Sequence, residues 1–343
     1  MRGQCVQQQK RTGTEVLIRC IAAASDEAKG ELMSAKTVVI AQDKGGAGKT
    51  TTAIAFSAER ALCGERVLAI DWDKSNPSFT QVLCTDDELT DELYDPQNTT
   101  ARLVTNPNAG IHKLVRRVDL SFEASYRGKP RYPVSQLAAV WQERAWKPGV
   151  GVLDFIPGHR MLGAALAELE GGSWGRQDPG MTLSRALAKA RDQYDWIIID
   201  MGPGNTDDDM GVVNALEAAD GMFFPLNFMR TAQAACKYAI THAREYSAQR
   251  LSRGRPALAI IGIGLFGYKQ GKVTHDDKLD AYRRSSLFKP YLLDAIVPHD
   301  SIVEDAQDAG APVQLYAPFS PASVAYHQLA QEVVTRDHSH ILA

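Results

Sequence analysis

Ala41 to Thr51 reads AQDKGGAGKTT, which places three glycines, two lysines and two threonines directly after the apolar run Thr37-Val38-Val39-Ile40. A strand, then glycines, then Lys-Thr opening a helix is the order that builds an anion cradle. The glycines let backbone N–H groups converge on phosphate oxygens, and the helix N-terminus adds positive partial charge. In that arrangement Lys49 reaches the β- and γ-phosphates of a nucleoside triphosphate, and the Thr50 hydroxyl binds Mg2+. A Gly-rich turn that binds nothing is the bland alternative, and Gly-Lys-Thr-Thr behind a strand weighs against it. Lys44 is left over, because the ordinary phosphate loop prefers glycine where Asp43 stands and has no use for a lysine beside it.

Such a loop needs carboxylates at the ends of neighbouring strands to hold Mg2+ and place the attacking water. VLAIDWDKSNPSFT ends a strand with Asp71 and Asp73, and YDWIIIDMGPG ends another with Asp200 followed by Gly202-Pro203-Gly204. Each aspartate alone reads equally well as a turn or cap residue. Together with the loop, in this order, they form a constellation.

The run Lys44-Gly45-Gly46-Ala47-Gly48-Lys49-Thr50-Thr51 resembles the deviant phosphate loop of the ParA/MinD family of dimeric ATPases, and within it the ParA (Soj-like) DNA partition ATPases. The resemblance implies that Lys44 crosses a nucleotide-sandwich homodimer to touch the partner's ATP, while Gly45 to Thr51 hold this subunit's phosphates. It also implies that Asp73 orients water and metal in the first switch segment and that Asp200 supports the metal with Thr50. Lys74 and Ser75 stand where the family has Pro-Gln, and Gly202 stands where it has proline. The C-terminal stretch from Ala295 resembles the part of the family around a Pro-Arg-Asn motif, here Pro298-His299-Asp300. Adenine contact is thereby carried over to Pro298, with Asn227 in PLNFMR as a second candidate for the base edge.

These residues have to be positioned by a scaffold. TVVIAQ, RVLAID, VGVLDFIP, WIIID, GMFFPLNF, ALAIIGIGLF and YLLDAIVP are short runs separated by helical patterns, and runs apolar on both sides describe buried parallel strands. The expected class is α/β: a doubly wound, mostly parallel sheet with helices on both faces. Helices are expected at roughly 49–63, 181–193, 208–219, 231–250, 274–287, 301–309 and 321–337. One ATPase domain over 36–337 follows, with a polar extension at 1–35, a short tail at 338–343 and an insertion at about 85–150. The insertion carries Trp141, Trp146, Arg116, Arg117, Arg127 and Arg131, and reads either as a partner or DNA surface or as an extra packed subdomain.

The formal net charge of −3 argues against a globally basic nucleic-acid binder, so any such role needs segregated charge. Residues 237–290 supply it, with eleven Lys and Arg against four acidic residues, net +7. In the family, partition ATPases bind DNA without sequence preference through basic residues of this half, which implies Lys269, Lys272, Arg283 and Arg284. Solvated helix faces are the competing explanation. Five cysteines without a CxxC pair fit a reducing cytosol and give neither a disulfide framework nor a zinc site. No apolar run approaches the ~20 residues that span a bilayer, and the C-terminal residues lack a basic amphipathic face. The expectation is a cytoplasmic, nucleoid-associated ATPase using ATP and Mg2+, with a ParB-like or other adaptor that stimulates hydrolysis and no membrane partner. A MinD-like positioning ATPase and an ATP-dependent biosynthetic enzyme on the same fold are the alternatives.

Overall fold

All seven apolar runs form strands: β1 (Lys36–Ile40), β2 (Arg66–Trp72), β4 (Val152–Ile156), β5 (Trp196–Met201), β6 (Gly221–Asn227), β7 (Ala259–Tyr268) and β8 (Leu292–Pro298), with β3 (Arg116–Arg117) added by the insertion. The computed structural model describes residues 34–42, 46–84, 95–106, 108, 110–120, 132, 134–171, 178–203 and 209–336. The chain divides into Met1–Ser34 and Ala35–Ala343, and the elements described here belong to the second unit. The expected extension therefore falls almost wholly outside the described residues.

The sheet order is β3-β4-β2-β5-β1-β6-β7-β8. Every neighbouring pair is parallel except β3 with β4. Alternation along each strand sends side chains to opposite faces. Val39, Ile197 and Ile199 join one apolar cluster, whereas Val38, Ile40 and Ile198 join another on the far face.

The second cluster is roofed by α1 (Lys49–Leu62), α2 (Ser78–Leu83), α10 (Ile302–Asp308), α11 (Val313–Tyr316) and α12 (Pro321–Thr335). The first is roofed by α3 (Thr100–Thr105), α5 (Leu162–Glu170), α6 (Thr182–Leu187), α7 (Met210–Ala218), α8 (Arg230–Ser252) and α9 (Val273–Arg284). The sheet is thus doubly wound, and its crevice opens where connections from β1 and its neighbours diverge at the carboxyl ends. The helix expected over 181–193 stops at Leu187, after which Ala190 and Gln193 bond three residues back and continue as turns.

The described parts of the insertion are packed. Trp146 is buried and donates to the buried Glu59 carboxylate at 2.6 Å, and Arg144 donates to Ser323 and to the Pro318 carbonyl. Helix α4 (Val134–Glu143) contributes Val140 to the small cluster around Trp146 and Leu62. Arg127 and Arg131 lie outside the described residues.

Both margins of the sheet are occupied by polar groups. At one, Arg117 of β3 pairs with Asp154 at 2.8 Å. At the other, the Glu332 carboxylate of α12 accepts the N–H groups of Asp294 (2.8 and 3.0 Å) and Ala295 (3.0 Å).

Candidate nucleotide site

The site begins at the first turn of α1. Gly48, its N-cap, has φ 88°, and Gly46 has φ 72°. Only glycine adopts this left-handed region without steric cost. No side chain caps α1 and no acidic residue sits in its first turn, so the N–H groups there remain available to an anion. Thr52 steadies the turn, its hydroxyl donating to the Gly48 carbonyl at 2.6 Å. Lys49 is 8% exposed and Ala47 is buried. The Thr50 hydroxyl lies 3.1 Å from that of Ser78 on α2. Thr51 faces elsewhere: its hydroxyl accepts from Gln307 of α10 at 2.8 Å, which leaves its backbone to meet a phosphate. Lys44 and Gly45 lie outside the described residues.

Adjacency of β2, β5 and β1 brings the carboxylates to the loop, with Asp71 in register with Asp200 and Asp200 in register with Ile40. Asp71 is fully buried. Its Oδ2 accepts from the Thr80 N–H (2.9 Å) and hydroxyl (2.7 Å), and Thr80 Oγ1 accepts from the Gly158 N–H at 2.8 Å. Burial pushes Asp71 up to about 7, against the pull of the Thr80 hydrogen bonds.

Asp73 follows the strand end and folds into an Asx turn, Oδ1 accepting from the N–H groups of Ser75 (2.7 Å) and Asn76 (3.0 Å). That fixes the carboxyl plane and leaves Oδ2 without a hydrogen bond among the described residues. Gly202 presses on the same group: a Cβ there would stand 2.6 Å from Asp73 Oδ1.

Asp200 is 1% exposed, and neither of its oxygens meets a hydrogen-bond partner in good geometry among the described residues, although the Thr50 hydroxyl is near enough to favour its charged form. Burial, and next the charge of Asp71, hold it well above the usual carboxylate range, while Thr50 and Lys49 pull the other way. A buried carboxylate left unsatisfied costs roughly 1–3 kcal/mol or more. A hydrated divalent cation supplies both the missing charge and the missing donors. Thr50, Asp73 and Asp200 offer the hard oxygen set that Mg2+ takes alongside phosphate oxygens.

The remaining candidates ring the same end of the sheet. Asn227 closes β6, its Nδ2 donating to the Gly46 carbonyl at 3.4 Å and its Oδ1 accepting from the Met229 N–H at 3.0 Å. Pro298 ends β8, three strands away from β1, or about 14 Å across the sheet.

The basic stretch is less uniform than its count suggests. Arg244 donates to the Tyr291 hydroxyl, Arg250 to the Leu216 and Ala219 carbonyls, Arg253 and Arg255 pair with Glu217, and Lys278 donates to the Phe228 carbonyl. Five of the eleven cations therefore have partners within this chain, although only Arg250 is buried and Arg244 and Arg253 remain exposed. Lys269, Lys272, Arg283 and Arg284 are exposed, but in two pairs at opposite ends of α9, about 16 Å apart along the helix. Asp276, Asp277 and Asp280 lie between them.

Sequence reasoning passed over Thr80, which anchors Asp71, and Ser78, which meets Thr50; neither belongs to a motif. It also passed over a link between the Asp73 turn and the start of α7. Lys74 Nζ lies 2.5 Å from Asp209 Oδ2, and the Trp72 indole N–H donates to the Gly211 carbonyl at 2.9 Å.

A glycine loop at a bare helix N-terminus, with a buried lysine and strand-end carboxylates on a doubly wound parallel sheet, defines a P-loop nucleotide-binding protein. The AAA_31 family model (AAA domain) matches residues 35–246. Over 306 residues the chain is 28% identical to the chromosome partitioning protein ParA of Caulobacter vibrioides, covering 88% of this chain and 95% of that protein. Among solved structures, an ATP complex of Cyanothece McdA aligns with TM-score 0.61 at 16% identity, over 89% of this chain and 98% of that one. Cobyrinic acid a,c-diamide synthase from Mycobacterium smegmatis, bound to an ATP analogue and magnesium, aligns with TM-score 0.56 at 20% identity, over 87% and 93%. At such identities the structural likeness speaks for the fold alone. The chain belongs to the AAA-domain family of that match, as a P-loop ATPase of the ParA/MinD type.

Proposed function

We propose that the chain is a ParA-like partition ATPase: ATP closes a sandwich homodimer, the dimer binds DNA without sequence preference, and a ParB-like or other adaptor stimulates slow hydrolysis and release. The observation that carries the reading is the unsatisfied buried carboxylate of Asp200 beside Thr50 and Lys49 at a bare helix N-terminus. The near full-length relationship to a chromosome partitioning protein favours this role over others performed on the fold. On this reading the protein works in the cytoplasm, on the nucleoid; among the described residues no helix is long and apolar enough to cross a membrane.

Hydrolysis is attack of water on the γ-phosphorus with cleavage of the bond to the ADP oxygen and release of a proton to solvent. Thr50, Asp73 and Asp200 would hold Mg2+, which when bound neutralises phosphate charge. Lys49 shares that charge, and the free Oδ2 of Asp73 is placed to orient the water. Lys44 acts across the dimer on the partner's nucleotide. Gly45, Gly46, Ala47, Gly48 and Thr51 offer backbone to the phosphates, and Asn227 and Pro298 border the base.

Lys269, Lys272, Arg283 and Arg284 supply the DNA contacts. If all four neutralise phosphates, log K falls against log[salt] with a slope of about −3.6 per subunit. The test is DNA retention and phosphate release with ATP and Mg2+ across a salt series. Asp73→Ala should remain an ATP-bound, DNA-bound dimer, and Lys44→Ala should bind ATP yet stay monomeric and off DNA. DNA affinity that ignores nucleotide or salt would sink the reading, and turnover that requires a small-molecule carboxylate would point to a biosynthetic enzyme instead.

A further inference from the structure

Lys74 occupies the first of the two positions where this chain departs from the resembled Asp-x-Asp-Pro-Gln pattern, immediately after Asp73. Its ammonium meets Asp209 at 2.5 Å, with side-chain exposures of 38% and 15%. Asp209 is engaged on both sides, because its other oxygen, Oδ1, accepts from the Gly211 N–H at 2.9 Å and caps α7. Two further contacts bind the same regions. Trp72, the residue before Asp73, donates to the Gly211 carbonyl, and Gly202 rests on the Asp73 carboxylate. The turn that shapes Asp73 is thus tied to the end of β5 behind it and to the first turn of α7 beside it. A proline at 74 carries no charge and could not make the ion-paired tie.

We propose that Lys74 is a positioning residue whose ion pair with Asp209 holds the Asp73–Asn76 turn and the start of α7 as one unit, so that hydrolysis in this chain depends on a side chain outside the phosphate loop. The proposal rests on the ATPase reading for its kinetic consequence and on geometry alone for the tie.

The variants separate the ion pair from its neighbours. Lys74→Met removes the charge and keeps the stem. Asp209→Asn removes the charge but preserves a good N-cap, so loss of the cap does not confound the result. Lys74→Arg keeps the opposite charges and leaves the Asp209 cap of α7 in place.

Hydrogen exchange of the full-length protein, followed by mass spectrometry, reads peptides covering 72–80 and 209–216 without reference to turnover. An ion pair of this exposure supports a change of about two- to fivefold. Exchange should therefore rise by about that factor in both peptides for Lys74→Met and Asp209→Asn, and stay near wild type in Lys74→Arg. Steady-state phosphate release should show kcat reduced by a similar factor in the first two variants, with KM unchanged. Unchanged exchange in both peptides overturns the tie. Raised exchange with unchanged kcat overturns the positioning role. Absence of turnover in the wild type would fail the ATPase reading, while exchange alone would still decide whether the two segments form one unit.

Discussion

Gly202→Ala tests the site at its tightest contact. An alanine Cβ would stand 2.6 Å from Asp73 Oδ1 and 2.8 Å from its Cγ, where ordinary contact begins at 3.4 Å, so something must yield by roughly 0.8 Å. The carboxylate cannot swing away freely, because Oδ1 accepts from Ser75 and Asn76. Either those hydrogen bonds break or the turn moves as a body, and on the proposed role of Asp73 both displace Oδ2 from where it would orient the water. Misplacement of about 1 Å can cost about a hundredfold, so kcat should fall about 10- to 100-fold, or roughly 1.4–2.7 kcal/mol of transition-state stabilisation. Overpacking should also cost about 1–3 kcal/mol of stability. Nucleotide affinity should stay within about twofold, because Lys49 and the bare turn of α1 are untouched. Phosphate release, titration with a fluorescent ATP analogue and urea unfolding read the three quantities. Wild-type kcat and an unchanged urea midpoint together would refute the contact and the role built on it.

Two further outcomes concern the same carboxylates. The folded-state pKa of Asp71 is raised to about 7 from 3.8, so its contribution to stability is fully present below pH 3.8 and lost as pH rises through about 7. The wild type should therefore lose up to about 4 kcal/mol relative to Asp71→Asn between pH 4 and 8. Urea midpoints at both pH values measure this, and a flat difference would contradict it. Thr80→Val removes the hydroxyl that joins Asp71 to the Gly158 N–H and should cost roughly 2–3 kcal/mol in urea unfolding. A loss below about 0.5 kcal/mol would mean that the network tolerates an empty position.

Six of the seven principal strands were legible because they are buried on both faces, which leaves a run of Val, Ile, Leu and Phe that survives without tertiary information; β8, at the sheet edge with Asp294 exposed, was legible from its remaining Leu, Ile and Val. The elements outside the expected pattern include two ordinary helices, α4 with ten residues and α5 with nine, the latter burying Leu162, Leu166 and Leu169 in the core; the others are short. β3 has two residues, α2 and α3 six each, and α11 four, too few for helical periodicity to register. The phosphate loop and the two strand-end aspartate segments each carry a pattern visible within a few residues, whereas the order β2-β5-β1 in the sheet is what brings them together. Lys74 and Asp209 are 135 residues apart, and no pattern in either segment announces the other. Charge misled in a similar way: the basic count between 237 and 290 is correct, yet Arg250, with nearly all its surface buried against backbone carbonyls, does the work of a core residue. Sequence records how many cations there are, whereas their partners lie on other elements.

The two margins of the sheet bear on how copies of this protein can meet. An open edge strand is a template on which another chain can add a strand. Here one margin is a two-residue strand ending in arginines, and at the other Glu332 already occupies main-chain donors of β8. Growth of the sheet from molecule to molecule is disfavoured by the shortness of β3 at one side and, while α12 stays docked, by Glu332 on two donors of β8 at the other. The weak point lies in that guard. When the C-terminal helix frays, Glu332 leaves with it and two main-chain donors of β8 are freed, so heat or truncation near residue 332 should promote precipitation.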